Sequence, residues 1–389
     1  MTELAPLWKF AEVNPLTPEF KALTPGVEVS FMPLETVWPG GRADFSRTRP
    51  WSNDSNYTQF RQGDILVPKI TPTFEAGRSV IADIPTEVGL ASTEVHVVRP
   101  KAGADARFIT YGFQSLPFLD EGAHSLQGVG NLRRVTPRFV QDRQVLDVDG
   151  RMQALIADYL DRETGEIDSM ISRLDALTTA LIGRRASVVE SRLAELFRGT
   201  TVPLWSLLRP VKDQEHASEE VLSVYRDYGV ILKSSRDDNL NRTPSDLSSY
   251  QLVLPGDLVI NKMKAWQGSL GVSRHRGIVS PDYQVARPYV EVLPEYLHFV
   301  LRSPVMIPQY RVRSTGVRPA QWRLYWDDFA NLRIPLPSIT EQEATVVHLD
   351  EAIGQIDTML AKVAELKELL IERRAALITD VVTGRKAVA

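Results

Sequence analysis

Two stretches of the chain carry residues at alternating spacings of four and three. Ile167, Ile171, Leu174, Thr178, Leu181, Arg185 and Val188 form one series, and Ile356, Leu360, Val363, Lys367, Leu370, Arg374 and Leu377 form the other. That period is a heptad seam, the stripe by which one long helix packs on another. The two series are copies. Asp168 and Asp357 stand 357 − 168 = 189 apart, and the same shift lays Leu160 on Leu349, Met170 on Met359, Leu177 on Leu366 and Arg184-Arg185-Ala186 on Arg373-Arg374-Ala375. A gapless internal repeat takes precedence over local detail in reading the organisation. Polar residues break the seam at matching places, Thr178 with Lys367 and Arg185 with Arg374. Such breaks cost stability and set register or partner choice, so register is expected to be set there. A helix of about 30 such residues is roughly 45 Å long and cannot bury its stripe alone. The two are expected to pack on each other as a coiled coil, rather than each only on its own globular part; if a pseudo-two-fold axis lies perpendicular to the coil, they form an antiparallel coiled coil.

Upstream of each helix the pattern changes to short β-branched runs punctuated by proline, glycine and aromatic residues, as in TEVHVVRP and PDYQVARP. GDILVPKI at 63–70 and GDLVINKM at 256–263 both place Gly-Asp before a run of Ile, Leu and Val. That reads as a tight turn entering a buried strand. Lys69 and Lys262 are equivalent here, but 262 − 69 = 193, so the insertions lie in the globular parts. In IPLPSITEQEA the prolines Pro335 and Pro337 end the extended part, and Thr340 with Glu343 reads as a capping box. The first half has VLDVDGRMQAL in that place, without the Pro-Leu-Pro and Glu-Gln signals. The expected architecture is α+β with a pseudo-two-fold relation: two globular α/β domains over 1–148 and 199–338, and long helices over 149–198 and 339–389.

The length of 389 residues has room for two such domains. There is no cysteine, which removes disulfides, thiolate zinc sites and cysteine nucleophiles and suits a reducing, intracellular setting. The sequence opens without a basic-then-apolar leader and has no run of about 20 apolar residues, so a cytoplasmic protein without membrane contact is expected. A net charge of −4 argues against a uniformly basic nucleic-acid binder. Its distribution argues otherwise. Over 301–326 the chain carries Arg302, Arg311, Arg313, Arg318 and Arg323 and no acid.

Catalytic patterns are missing. We find no glycine-rich phosphate loop ending in Lys-Ser/Thr, no pair of histidines four apart on a helix face, and no methyltransferase motif for a flipped base. Pro281-Asp282 with Glu365-Leu366-Lys367 imitates a nuclease carboxylate set, but the second element lies within the heptad helix, where Glu and Lys are solvated neighbours of the seam. No catalytic residue, metal ligand or cofactor site is assigned. Binding chemistry remains. YRVRSTGVRPAQWRLYW at 310–326 interleaves arginine with aromatic and hydroxyl residues around Gly316 and Pro319, and NLRRVTPRF at 131–139 is a weaker counterpart. Arginine grips phosphate or a guanine edge, and glutamine pairs with adenine. The competing reading is a solvated arginine surface over a core holding Trp322 and Trp326.

GDLVINKMKAWQGSLGVSRHRGIVSPDYQVARP, STGVRPAQWRL, IPLPSITEQEA and ERRAALITDVVTGR, with YLDRETGEIDSMI in the central helix, together resemble the specificity subunits of type I restriction-modification systems. The resemblance covers essentially the whole chain. It implies a non-catalytic DNA-binding protein whose two variable regions are target recognition domains, each reading half of a split, asymmetric site on double-stranded DNA. It implies that the helices form an antiparallel coiled coil, act as a ruler for the spacer and dock two methyltransferase subunits, and that two restriction subunits can join. No cofactor is then bound directly; S-adenosylmethionine, ATP and Mg are used by the partners. The expected DNA contacts are Lys69, Arg78, Arg133 and Arg134 in the first domain and Lys262, Lys264, Arg274, Arg311, Arg313, Arg318, Gln321 and Arg323 in the second. The runner-up is a coiled-coil interaction scaffold whose two domains bind some other ligand.

Overall fold

The computed structural model describes residues 3–52, 56–226, 228–236, 243–318 and 321–388. It divides into two compact units, Met1–Asp175 with Ala364–Ala389, and Ala176–Val363. The division falls inside both long helices, Gly150–Phe197 and Ile339–Val382. Each unit therefore holds one globular part and a stretch of each helix.

Both helices start in the same way. The Ser338 amide and hydroxyl donate to the Glu341 carboxylate at 3.0 and 2.8 Å, and the Glu341 amide returns a bond to the Ser338 hydroxyl at 3.4 Å. This is a capping box, two residues ahead of the Thr340–Glu343 box expected from sequence, because Thr340 already lies in the first turn. In the first helix the Asp149 carboxylate accepts the Met152 amide at 2.8 Å, and 149 + 189 = 338. Four residues further on, Gln153 and Gln342 are each 1% exposed. Gln153 accepts the Asp105 amide at 2.9 Å and donates to the Val148 carbonyl at 3.1 Å. Gln342 accepts the Leu293 amide at 2.9 Å and donates to the Pro337 carbonyl at 2.9 Å. The glutamine signal expected to be missing from the first half is thus present: 153 + 189 = 342. What that half lacks is the glutamate, whose capping role a single aspartate fills.

Within each unit the helix stretches run antiparallel. In the first, Arg374 donates to Asp168 at 3.0 Å and Lys367 to Asp175 at 2.6 Å. In the second, Arg185 donates to Asp357 at 3.1 Å. The numbers of these three pairs sum alike, 168 + 374 = 175 + 367 = 185 + 357, so the internal repeat carries the same pairing in each unit. Arg185–Asp357 is also Arg374–Asp168 moved by 189. Ile167, Leu181, Ile356, Val363 and Leu370 are buried, while Ile171, Leu174 and Leu360 are half-buried.

The globular parts repeat a frame. A four-stranded antiparallel sheet orders Ala11–Val13, Val95–Pro100, Ile65–Pro68 and Val80–Ile81 in the first unit, and Leu208–Val211, Tyr283–Pro288, Leu258–Asn261 and Leu270–Val272 in the second. The Gly-Asp turns enter its third strand. Gly63 and Gly256 adopt φ of +82° and +92°, a region that favours glycine. Asp64 accepts the Arg61 amide at 2.9 Å and a two-pronged Arg99 at 2.8 and 2.7 Å. Asp257 accepts the Leu254 amide at 2.9 Å and Arg287 at 2.7 and 2.8 Å. Each carboxylate is 1% exposed and tolerable there only because it is paired and bonded. Against this sheet the first core packs Leu7, Ile65, Phe113 and Phe118 on Leu160 and Ile378 of the long helices. The second packs Leu204, Leu258, Tyr296 and Phe329 around Leu193.

Beyond the frame the units differ. The first adds a four-stranded sheet in the order Thr48–Pro50, Glu28–Met32, Val88–Ala91, Thr58–Arg61. The second has two separate ladders, Leu222–Tyr225 with Gly229–Leu232 and Gln251–Val253 with Gly277–Val279. Among the described residues, no helix is long and apolar enough to cross a membrane, and no group of three or more metal-ligating side chains gathers.

Candidate nucleic-acid interface

One loop in each unit is hydrogen-bonded at its base to the residue just after the third frame strand. In the first, the Lys69 carbonyl accepts the Val135 amide at 2.9 Å, and Gln127 and Arg134 exchange backbone bonds at 2.9 and 2.8 Å. In the second, the Lys262 carbonyl accepts the Leu324 amide at 2.9 Å, and Thr315 and Arg323 exchange bonds at 3.0 and 2.9 Å. Lys69 and Lys262 thus hold one place and Arg134 and Arg323 another. Glycine closes each loop. A Cβ on Gly128 would lie 2.8 Å from the Leu132 carbonyl oxygen, and one on Gly316 2.6 Å from that of Gln321. The base of each loop carries an arginine–acid pair: Arg134 with Glu94 at 2.8 Å, twice, and Arg323 with Asp282 at 4.0 Å. The Arg134 guanidinium, by its hydrogen bonds, holds the Glu94 carboxyl below its usual range.

Beside each loop lies a polar cleft. The first is lined by Asn14, Tyr57, Gln59, Lys69, His96 and Arg134, among others. The second is lined by Lys212, Gln214, Gln251, Lys262, Tyr283 and Gln284, among others. Strand register makes them counterparts. Val98 pairs with Val13 and Ile65, as Ala286 pairs with Pro210 and Leu258. Two residues back, His96 therefore matches Gln284. Only the lysine is the same in both. Burial, with a smaller push from Lys69, lowers the pKa of His96, so its ring is neutral, with Nε2 3.0 Å from the Val135 carbonyl and Nδ1 3.2 Å from the Asn14 amide nitrogen. Amide, imidazole and hydroxyl groups of this kind suit the donor and acceptor pattern of base edges.

The residues expected from sequence fall into three groups. Lys264, Arg274, Arg311, Arg318, Gln321 and Arg133 are exposed and Lys69 half-buried; none has a side-chain hydrogen bond or ion pair among the described residues. Others are tied down. Arg134 and Arg323 hold the acids just described, Lys262 donates to the Pro281 carbonyl at 2.9 Å, and Arg313 donates to Gln309 at 2.8 Å. Arg78 is apart from both loops, half-buried with Nη1 3.4 Å from the Val37 carbonyl. Pro319, at the tip of the second loop, lies outside the described residues, and Trp322 is half-buried against Trp266. Sequence reasoning missed Asn14, Gln59, Lys212, Gln214 and Gln251, which come from segments far apart in the chain and carry no shared spacing.

The helices also leave apolar groups outside. Met170, Leu366 and Ile371 are exposed in the first unit, and Met359, Leu177 and Ile182 in the second. The shift of 189 turns one trio into the other.

No family model matches the chain. Curated relatives do. The chain is 31% identical over 142 residues to the EcoAI type I restriction enzyme specificity subunit of Escherichia coli, which covers 35% of this chain and 23% of that protein. It is 26% identical over 203 residues to the EcoEI subunit of Escherichia coli, covering 50% and 33%, and 25% identical over 284 residues to the EcoBI subunit, covering 62% and 60%. The matched stretches thus span between a quarter and three fifths of those relatives. In structure, a chain of a type I restriction-modification system described for its complex assembly and conformational transition superposes at a TM-score of 0.68 and 16% identity, covering 98% of this chain and 97% of that one. The HsdS subunit of Thermoanaerobacter tengcongensis superposes at 0.55 and 17% identity, covering 98% and 96%. The chain is similar in sequence to type I restriction enzyme specificity subunits, and it has the fold of such a subunit over almost its whole length.

Proposed function

We propose that this chain is the sequence-reading, non-catalytic subunit of a type I restriction-modification complex. Each globular part, 1–148 and 199–338, reads one half of a bipartite, asymmetric site on double-stranded DNA. The observation that carries this is the pair of matched clefts: one frame, one lysine, one looped arginine, and otherwise different linings. Exposed cations in or beside the loops, Arg133, Lys264, Arg311 and Arg318, supply phosphate contacts, and Gln321 with the cleft amides supplies base contacts. Arg274 follows Ser273, which is bonded to the Gly256-Asp257 turn at the other end of the strand, and does not belong to that set. Arg134, Arg323 and Lys262 hold the loops in place. The helices, 149–198 and 339–389, set the unread spacer, on the scale of one turn of B-DNA, about 34 to 36 Å. The repeated trios, Met170-Leu366-Ile371 and Met359-Leu177-Ile182, fit two copies of one partner, the methyltransferase subunit. S-adenosylmethionine, ATP and Mg belong to partners, and the complex works in the cytoplasm.

Methylation mapping with the assembled complex tests this. Two unlike half-sites around a fixed spacer are expected. Absence of any duplex binding at low salt with the methyltransferase present would leave the scaffold reading, and DNA cleaved by the purified chain with Mg²⁺ would make it a nuclease.

A further inference from the structure

The second sheet of the first unit holds an arginine that grips nothing. Arg49 pairs through its backbone with Val29. Its guanidinium carbon lies 4.3 Å from the centre of the Tyr57 ring and 5.1 Å from that of Phe31, and the two rings meet edge to face at 5.1 Å. The residue is half-buried, and its Nε is shut off from solvent without a partner. Among the described residues its side chain makes no hydrogen bond or ion pair. Other half-buried arginines among the described residues have partners: Arg99 with Asp64, Arg143 with Glu121 and Arg287 with Asp257, while Arg78 and Arg192, whose Nε is likewise unpartnered, bond through an Nη. A guanidinium has five donors and no way to shed its charge, and leaving donors dry costs free energy. The placement says what could satisfy them. Tyr57 lines the first cleft together with Lys69, Gln127 and Arg134, and Arg49, outside that lining, packs on the Tyr57 ring.

Two ligand groups match a guanidinium fork, a phosphate and the O6/N7 edge of guanine. Phosphate contacts need only charge within reach, which exposed Arg133 supplies on a freely rotating stem. A fork whose plane is fixed by two aromatic rings has lost that freedom, and fixed orientation serves a planar acceptor pair. We propose that Arg49 reads a guanine in the half-site of the first unit, with Tyr57 and Phe31 as positioning residues. This rests on the DNA-reading function proposed above and adds the base.

The experiment is binding-site selection with the assembled methyltransferase complex, comparing the unchanged chain with Arg49→Lys, Arg49→Met and Tyr57→Leu. Arg49→Lys keeps the charge and loses the fork. We expect both Arg49 variants to relax one G·C position of one half-site, with discrimination there falling about 5- to 150-fold, while the other half-site stays as it was. Tyr57→Leu relaxes the same position less. If Arg49→Met does not fold, Arg49→Lys decides alone. Unaltered half-sites in Arg49→Lys would overturn the assignment, and so would a uniform loss of affinity across all sequences, which is the behaviour of a phosphate contact. If the unchanged chain selects no bipartite site, the DNA-reading function itself fails and this assignment with it.

Discussion

In the first unit Arg99 grips Asp64 at 2.8 and 2.7 Å, and in the second Arg287 grips Asp257 at 2.7 and 2.8 Å. Three residues back along the strand, about 10 Å away, His96 lines one cleft where Gln284 lines the other. The contrast separates two kinds of residue. Where the units agree bond for bond, the side chain is there to fix geometry, and any chain building this frame twice must spend it twice. Where they disagree in an equivalent place, the frame tolerates the change, and the residue is available for recognition.

That division can be broken by measurement. The largest effect is expected from Asp64→Ala and Asp257→Ala. Each leaves a half-buried arginine, 11% exposed for Arg99 and 29% for Arg287, without its partner, at up to about 3–5 kcal/mol, and calorimetry should find a loss in both; a loss in only one unit would mean that the frame is not shared. Next come Gln153→Ala and Gln342→Ala. Each leaves a buried amide without its acceptor, at about 1–3 kcal/mol, readable as faster hydrogen exchange at the start of the corresponding helix.

A pH effect should mark the second unit. Burial, with the Arg302 and Arg274 charges, pushes His298 down to about 4 from 6.5. The unfolded chain then binds the proton first, so stability is lost as pH falls from about 6.5 and levels off near 4, by up to about 3 kcal/mol. His298→Gln should flatten that slope in a pH series of melting curves. The smallest effects belong to the helix pairs. Arg185 is 47% exposed and Arg374 15%, so Arg185→Ala should cost about 0–1 kcal/mol and Arg374→Ala more, with the Arg185 effect fading in high salt. Equal losses would contradict the idea that the first unit packs more tightly around its copy of the pair.

Much of the frame was legible because it is written twice. The heptad series, the Gly-Asp turns and the matched lysines follow from the offsets alone, and the helices run Gly150–Phe197 and Ile339–Val382 against expected starts at 149 and 339. Gln153 was overlooked because its neighbours in VLDVDGRMQAL differ from those of Gln342, although its position does not. The capping box was placed at Thr340 because two Ser/Thr–Glu pairs overlap there, and only hydrogen bonds distinguish them. The aspartates' partners were hidden by distance along the chain: 99 − 64 = 35 and 287 − 257 = 30 residues separate each pair. Cleft residues such as Asn14, Gln59 and Gln214 were hidden for the same reason, with no repeat to expose them. Charge density in the acid-free stretch 301–326 pointed to Arg313, and the expected DNA contacts of the first domain included Arg78; structure ties both to nearby backbone or side-chain groups.

The central claim is that reading lies in the parts that differ and geometry in the parts that repeat. Its most direct test is a chain in which residues 199–338 are replaced by a second copy of 1–148, assembled with methyltransferase subunits and mapped by methylation. A symmetric site built from two copies of the first half-site is expected. Retention of the original asymmetric site, with the second globular part gone, would contradict it.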